Sequence, residues 1–346
     1  MEGMGKMKVL VTGSRGYIGR VLTRYLLNKK IDVVGADNLF FQGANFTPGS
    51  QDMTTINKDI RDMATSDFED VDAVIHLAGL SNDSLGYLNP ELTHKINYEA
   101  TVRLGEISKA AGVRRFIFSS SCSMYGLAKK DYVTEEDNFN PQTPYAESKV
   151  LAEKELSKLA TNSFSTTFLR NSTVFGLSPR MRLDLVVNNL VANAMLDGVI
   201  RITSDGTPWR PLVHIQDVCQ AFYKVLIADP NLINNQAFNV GRDDNNIQIK
   251  NIALIVSRII PNTRLKILGE GGSDTRSYKV SFEKISFVLG YKAEHTVKDG
   301  VIELYKYFSS INFSKNDFNN PLYTTLSQVK LLIDQKKIDN NLYWKQ

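Results

Sequence analysis

The chain of 346 residues carries 41 Lys and Arg against 37 Asp and Glu, and a formal net charge of +4 is too small to direct it to nucleic acid. Two cysteines, Cys122 and Cys219, stand far apart and without metal-ligand spacing, which suits a reducing compartment and offers no metal site. No apolar run approaches the ~20 residues that span a bilayer and Met1 to Lys6 lacks a secretory apolar stretch, so the expectation is a soluble, cytoplasmic protein with no membrane partner.

After a start at residues 1–6 expected to be disordered, Lys8-Val9-Leu10-Val11-Thr12 reads as a short buried strand. It runs into Gly13-Ser14-Arg15-Gly16-Tyr17-Ile18-Gly19 and an amphipathic helix from Arg20 to Asn28. In this strand–turn–helix context Gly13 permits a tight turn, Gly16 lets backbone approach a pyrophosphate, and Gly19 lets the helix pack on the strand. The helix amino-terminus offers unpaired N–H groups to the anion, and Tyr17 and Ile18 of the turn are further cofactor candidates. The GxxGxxG spacing differs from the GxGxxG dehydrogenase fingerprint, and alone it fits any Gly-rich turn. A second strand, Ile31 to Ala36, ends on Asp37 and Asn38. A carboxylate there is suited to accept both ribose hydroxyls of an adenosine and repels a 2′-phosphate, which favours NAD over NADP.

Further on, Asp59 and Ile60 end a strand where an acid can meet an adenine amino group, although a solvated loop acid fits equally. Val71 to Gly79 is another buried strand whose small end, Leu77-Ala78-Gly79, lets backbone lie against a cofactor, with His76 read as a packed strand histidine. Arg114 to Phe118 forms the central strand leading into Ser119-Ser120-Ser121. Downstream, Tyr145-Ala146-Glu147-Ser148-Lys149 sets a phenol and an ammonium one helical turn apart, so that Lys149 can favour the phenolate of Tyr145 as a general base. By itself the spacing also fits an amphipathic helix with tyrosine packed and lysine in solvent. Phe164 to Leu169 is the next strand, and Arg170 to Gly176 leaves it toward the cleft.

These alternations predict an α/β fold, a Rossmann-type doubly wound parallel sheet with a smaller carboxy-terminal substrate-binding lobe. The expected division is an NAD-binding domain over 7–171, a substrate lobe over 172–308 and a peripheral helical extension over 309–346, with 237–241 able to return to the main sheet.

Taken in order, the glycine turn, Asp37, Asp59-Ile60, His76-Leu77-Ala78-Gly79, Asn97, Met124-Tyr125-Gly126, Tyr145 with Lys149, and Arg210 to Asp217 resemble the extended short-chain dehydrogenase/reductases of the nucleotide-sugar epimerase/dehydratase family. The resemblance covers roughly residues 7 to 305 and implies NAD as cofactor and a nucleotide-diphosphate sugar as substrate. It puts the active-site Ser/Thr on Ser121, the base on Tyr145 and the nicotinamide ribose on Lys149, and it sets Asn97 behind the site as a buttress for the serine strand. Arg210 matches an arginine that meets the substrate diphosphate; Arg180 (or Arg182 in its place), Asn189 and Arg276 are further phosphate candidates. Ser81 and Asn82, with Asp83 beside them, fall at the sugar end, as do Ser123 and Thr173.

Two departures narrow the chemistry. Where the family's dehydratases carry Asp-Glu after the active-site Ser/Thr, this chain has Cys122-Ser123, which argues against 4,6-dehydration. Cys122 is one position early for the cysteine of the 3,5-epimerising relatives and is expected to face the core. The resemblance therefore implies a nucleotide-sugar epimerase acting through a transient 4-keto sugar. A 4-dehydrogenase or 4-keto-sugar reductase is the alternative within the fold, and a non-catalytic NAD sensor is disfavoured by the intact Ser121, Tyr145 and Lys149. Relatives of this kind dimerise through two helices, here near Leu92 to Ala111 and Tyr145 to Leu159, so a homodimer is expected.

Overall fold

In the computed structural model, which describes residues 7–48, 53–81, 83, 86, 89–127, 130–269 and 276–345, side-chain alternation along the strands builds two cores, one on each face of a central sheet. Val9, Val11, Ile75, Ile117 and Leu169 fill one core, while Leu10, Val74, Phe116, Phe118 and Phe168 fill the other. The strands that carry them are β1 (Lys8–Thr12), β2 (Asp32–Asp37), β3 (Thr55–Asn57), β4 (Ala73–His76), β5 (Arg115–Ser121) and β6 (Ser165–Asn171). The helices between them are α1 (Tyr17–Asn28), α2 (Ala100–Ala110) and α3 (Pro144–Leu159), with shorter turns left unlabelled. Burial on both faces explains why the strands are near-continuous apolar runs.

Past β6 the chain forms β7 (Thr173–Phe175), α4 (Val186–Asp197), β8 (Val199–Ile202), β9 (Trp209–His214) and α5 (Ile215–Ile227). It continues through β10 (Gln236–Val240), β11 (Asn246–Gln248), α6 (Ile249–Ile259), β12 (Arg264–Ile267), α7 (Val297–Ser310) and α8 (Thr325–Asp334). The central sheet has the order β10-β6-β5-β4-β1-β2-β3, and every pairing in it is parallel. The strand order reverses between β1 and β4. A crevice at the carboxyl ends of those two strands is where a doubly wound sheet takes its ligand. β10 is the seventh strand, beside β6, as the sequence allowed. Two small sheets, β11-β9-β7 and β12-β8, build the lobe above the crevice.

Three details differ from the sequence reading. The first helix begins at Tyr17 rather than Arg20, because Gly16 in extended geometry is its amino-terminal cap. The central strand runs on to Ser121, so all three serines are strand residues. The carboxy-terminal segment, expected at the periphery, places Val329, Leu332, Ile338 and Leu342 in the same core as Leu10, Phe40 and Ile60. Residues 1–6 and Asn82 lie outside the described residues.

Candidate active site

The turn after β1 is possible only with glycine. Gly13 has φ +68°, and a Cβ on Gly19 would come within 2.1 Å of the Gly13 carbonyl, so the first turn of α1 rests directly on the glycine turn rather than on the strand. No side chain caps α1 and no acidic residue occupies its first turn, which leaves its N–H groups open to an anion. Tyr17 lines the same space, but its hydroxyl is turned toward the lobe: it donates to Gly176 O at 2.7 Å and accepts from Asn188 Nδ2 at 3.2 Å.

At the end of β2, Asp37 accepts from the N–H groups of Arg15 at 2.9 Å and Leu39 at 2.8 Å. Each carboxylate oxygen keeps a further acceptor position, while burial pushes the carboxyl upward against those two hydrogen bonds. Asp59, also on the cavity wall, is held by Arg61 through Nε at 2.8 Å and Nη2 at 2.9 Å.

These groups open on one cavity of about 640 Å³ that reaches from the glycine turn to the lobe. Gly13, Gly16, Tyr17, Ile18, Gly19, Asp37, Asn38, Asp59, Ile60, Leu77, Ala78, Gly79, Ser81, Ser121, Ser123, Tyr145, Lys149, Thr173, Arg180, Arg210 and Arg276 all line it. The sequence candidates for cofactor, chemistry and substrate thus converge on a single space. Within it Ser120 Oγ, Ser123 Oγ and Asn171 Oδ1 are buried without a protein partner, which is what a polar ligand would satisfy. N–H donors for a diphosphate at α1, a carboxylate acceptor for ribose hydroxyls at Asp37 and these orphaned polar groups fit NAD.

The catalytic candidates come from two adjacent elements. β5 delivers Ser121, and α3 delivers Tyr145 and Lys149 behind a Thr143 cap whose hydroxyl accepts from Ala146 N and donates to Asp83 at 2.7 Å. Lys149 Nζ donates to Ser119 O at 2.8 Å, lies 4.4 Å from the centre of the Phe118 ring and 5.7 Å from that of Tyr145. Electrostatically the outcome differs from the sequence expectation. Burial first, then the charge of Asp83, pushes the Tyr145 phenol up to about 12, against pulls from Ser121, Arg182 and Arg276. Burial likewise pushes Lys149 down to about 7, with Glu153 opposing it. Burial thus opposes the charge on Lys149 without removing it near neutral pH.

Of four further candidates, Asn97 and Asn189 do not line the cavity, whereas Arg180 and Arg276 do. Asn97 does not itself line the cavity; from a single π-helical turn, Lys95–Glu99, it accepts from Leu80 N at 2.7 Å and donates to Leu80 O at 3.0 Å, clamping a residue of the cavity wall after β4. Asn189 faces away, donating to Leu183 O at 2.9 Å and accepting from Asn193. Arg180 is committed to Thr325 Oγ1 at 2.8 Å and to the face of Phe41 at 3.8 Å, whereas its alternative, Arg182, reaches Ser81 O at 3.2 Å while paired with Asp184. Arg276 is bound to Asp83 at 2.9 Å and accepts Arg210 on its carbonyl, so these two arginines stand together at the lobe side. Sequence reasoning missed Asn171, detectable as the end of the strand beside β5, and Thr325, Val329 and Leu342, for which no local signal exists.

Cys122 behaves as expected, buried with its thiol directed to Arg170 O, and burial pushes the thiol far above its ordinary range. His76 is likewise a core group, held between Thr12 at 2.6 Å and Thr101 at 2.8 Å and pushed down to about 3.

Comparison with known proteins matches residues 9–241 to the model of the "NAD dependent epimerase/dehydratase family". A UDP-glucose 4-epimerase of Lactobacillus helveticus is 30% identical, with 86% of this chain and 95% of that protein covered. UDP-glucuronic acid decarboxylase 6 of Arabidopsis thaliana is 25% identical over 85% of this chain and 87% of its own length. Among solved structures, the UDP-glucuronic acid 4-epimerase of Bacillus cereus in complex with UDP-glucuronic acid and NAD superposes with a TM-score of 0.77 at 26% identity, covering 88% of this chain and all of that one.

Proposed function

The chain belongs to the NAD dependent epimerase/dehydratase family, and on that premise we propose that it is a nucleotide-diphosphate-sugar epimerase that inverts a sugar carbinol centre, C4, through a transient ketone. The observation that carries the reading is the convergence of Ser121, Tyr145 and Lys149 on the cavity that also holds the glycine turn and Asp37, with Cys122 turned into the core and no acid pair after Ser121. When bound, NAD supplies a hydride acceptor and returns the hydride.

The protein's own part is proton handling and positioning. Tyr145 takes the proton of the sugar hydroxyl and gives it back, while Ser121 holds that oxygen as charge develops on it. Lys149, fixed by Ser119 O, is the cation whose charge beside Tyr145 favours the phenolate. Arg210 and Arg276 supply the planar donors suited to a diphosphate. Ser81 and Ser123 border the sugar in this reading, and the same cavity continues from β5 to Arg210 on the lobe side. Cys122 and Cys219, both free and buried, suit an enzyme of a reducing compartment such as the cytoplasm.

The test is incubation with a panel of nucleotide sugars. An epimerase returns an isomer of unchanged mass, no net rise in absorbance near ~340 nm and no carbon-bound deuterium from deuterated water, and Tyr145→Phe lowers turnover by roughly 10²–10⁴-fold with NAD still bound. A product shifted by two hydrogens, with stoichiometric change of the cofactor, would replace this reading with a net oxidoreductase. Deuterium at C3 or C5 would replace it with enolisation chemistry.

A further inference from the structure

The chain beyond α7 has no place in the catalytic reading, and it lies outside the residues that the family model matches. Yet it reaches back to the cofactor end of the cavity. Thr325, Val329 and Leu342 line that cavity together with Asp37, Asn38, Asp59 and Ile60. The segment is tied to this end of the cavity through Phe40, Arg180, Asn38 and Arg61. Gln328 Nε2 donates to Phe40 O at 2.8 Å, and Thr325 accepts from Arg180. The Trp344 indole N–H donates to Asn38 O, and its ring meets Phe40 edge-on at 5.6 Å. Arg61, which grips Asp59 with one edge, lies 3.7 Å from the centre of the Tyr343 ring and donates to the carbonyls of Asn341 at 2.8 Å and Leu342 at 3.3 Å. The last residues hold their own shape: Asp339 accepts from the N–H groups of Asn341 and Tyr343, and Ile338 bridges Trp344.

We propose that the carboxy-terminal segment from Thr325 to Trp344 is part of the cofactor site, a clamp on the adenosine end of the cavity that must loosen for NAD to exchange. The proposal rests on the reading that Asp37 and Asp59 mark the adenosine end. Leu342 and Val329 present the apolar surface suited to a flat purine, while Arg61 couples the acid at position 59 to the aromatic hairpin. Such a clamp suits an enzyme whose NAD is regenerated in every cycle, because a retained cofactor then loses nothing by slow release.

The experiment follows exchange rather than turnover. The full-length enzyme is loaded with labelled NAD and chased with unlabelled NAD, and the Tyr343→Ala/Trp344→Ala double variant should release label roughly tenfold faster or more. Release at the parental rate in a variant with an unchanged melting temperature overturns the clamp. Asp37→Ala separates the two layers: faster exchange there with no effect of the hairpin variant rejects the clamp and leaves the cofactor reading standing, and no effect of either rejects that reading as well. Should the double variant fail to fold, amide hydrogen exchange of the unaltered protein decides. NAD should slow exchange across residues 325–345, and equal rates with and without NAD overturn the proposal.

Discussion

Lys149 is held in a site that resists its charge. Lys149 is 6% exposed, its ammonium has one carbonyl at 2.8 Å and an aromatic face at 4.4 Å, and the opposing carboxylate, Glu153, is already engaged by Arg170. Burial lowers its pKa from 10.5 in the unfolded chain to about 7 in the fold. A folded state that binds the proton more weakly than the unfolded one loses stability as pH falls from 10.5 toward 7, and the loss is complete below 7. Replacing the ammonium with an isosteric apolar chain removes that cost. Lys149→Met should therefore raise stability in urea at pH 6 by at least about 1 kcal/mol more than it does at pH 10, while abolishing efficient turnover. Equal shifts at the two pH values would show that the strain at this position has another source.

At the level of elements, α3 organises the site because one helical face carries three chemical groups at successive turns: Tyr145, Lys149 and Glu153. Glu153 anchors the helix to β6 through a buried pair with Arg170, at 3.1 Å from Nε and 2.8 Å from Nη2. Arg170 Nη1 continues to Tyr125 Oη at 3.0 Å and Glu135 O at 2.9 Å, and the Tyr125 hydroxyl donates to Asn239 on β10. Glu153→Ala would leave a buried guanidinium without its counter-charge, which should lower unfolding stability by about 3–5 kcal/mol. Denaturant titration measures it, and a loss below about 1 kcal/mol would mean that water or a neighbour replaces the carboxylate. The first two positions of this stripe were readable in the sequence because spacing on one helix fixes a shared face. The partner of the third was not, since Arg170 is brought to it by strand order. The same distinction explains the phosphate candidates: Arg210 and Arg276 stay at the cavity, whereas Asn189 is turned away by the local path of the segment before α4, which offers it the Leu183 carbonyl instead. Asn97 illustrates it again: the resemblance set it behind the site as a buttress for the serine strand, and its hydrogen bonds in the structure go to Leu80.

For the whole molecule, the parallel strand order places every chemical group at one edge of the sheet, and the lobe and the carboxy-terminal segment enclose that edge from opposite ends. The face left over is formed by α2 and α3. These helices pack on each other closely, since a Cβ on Gly105 would come within 2.5 Å of Leu156 Cδ2. Their outer sides retain half-buried apolar residues, Val102 on one and Val150 with Leu151 on the other, flanked by exposed Arg103, Glu106, Glu147 and Lys154. Val102 and Leu151 belong to neither core. An apolar centre with a charged rim is the composition of an isologous interface, and two such helix pairs related by a twofold axis would make a four-helix contact. The homodimer that the resemblance implies is therefore expected to use this face. Light scattering at micromolar concentration should give twice the chain mass for the parent and one chain mass for Leu151→Arg, with NAD binding retained in both. A parent that is monomeric, or a Leu151→Arg variant that stays dimeric, would assign this face to solvent or the contact to another surface.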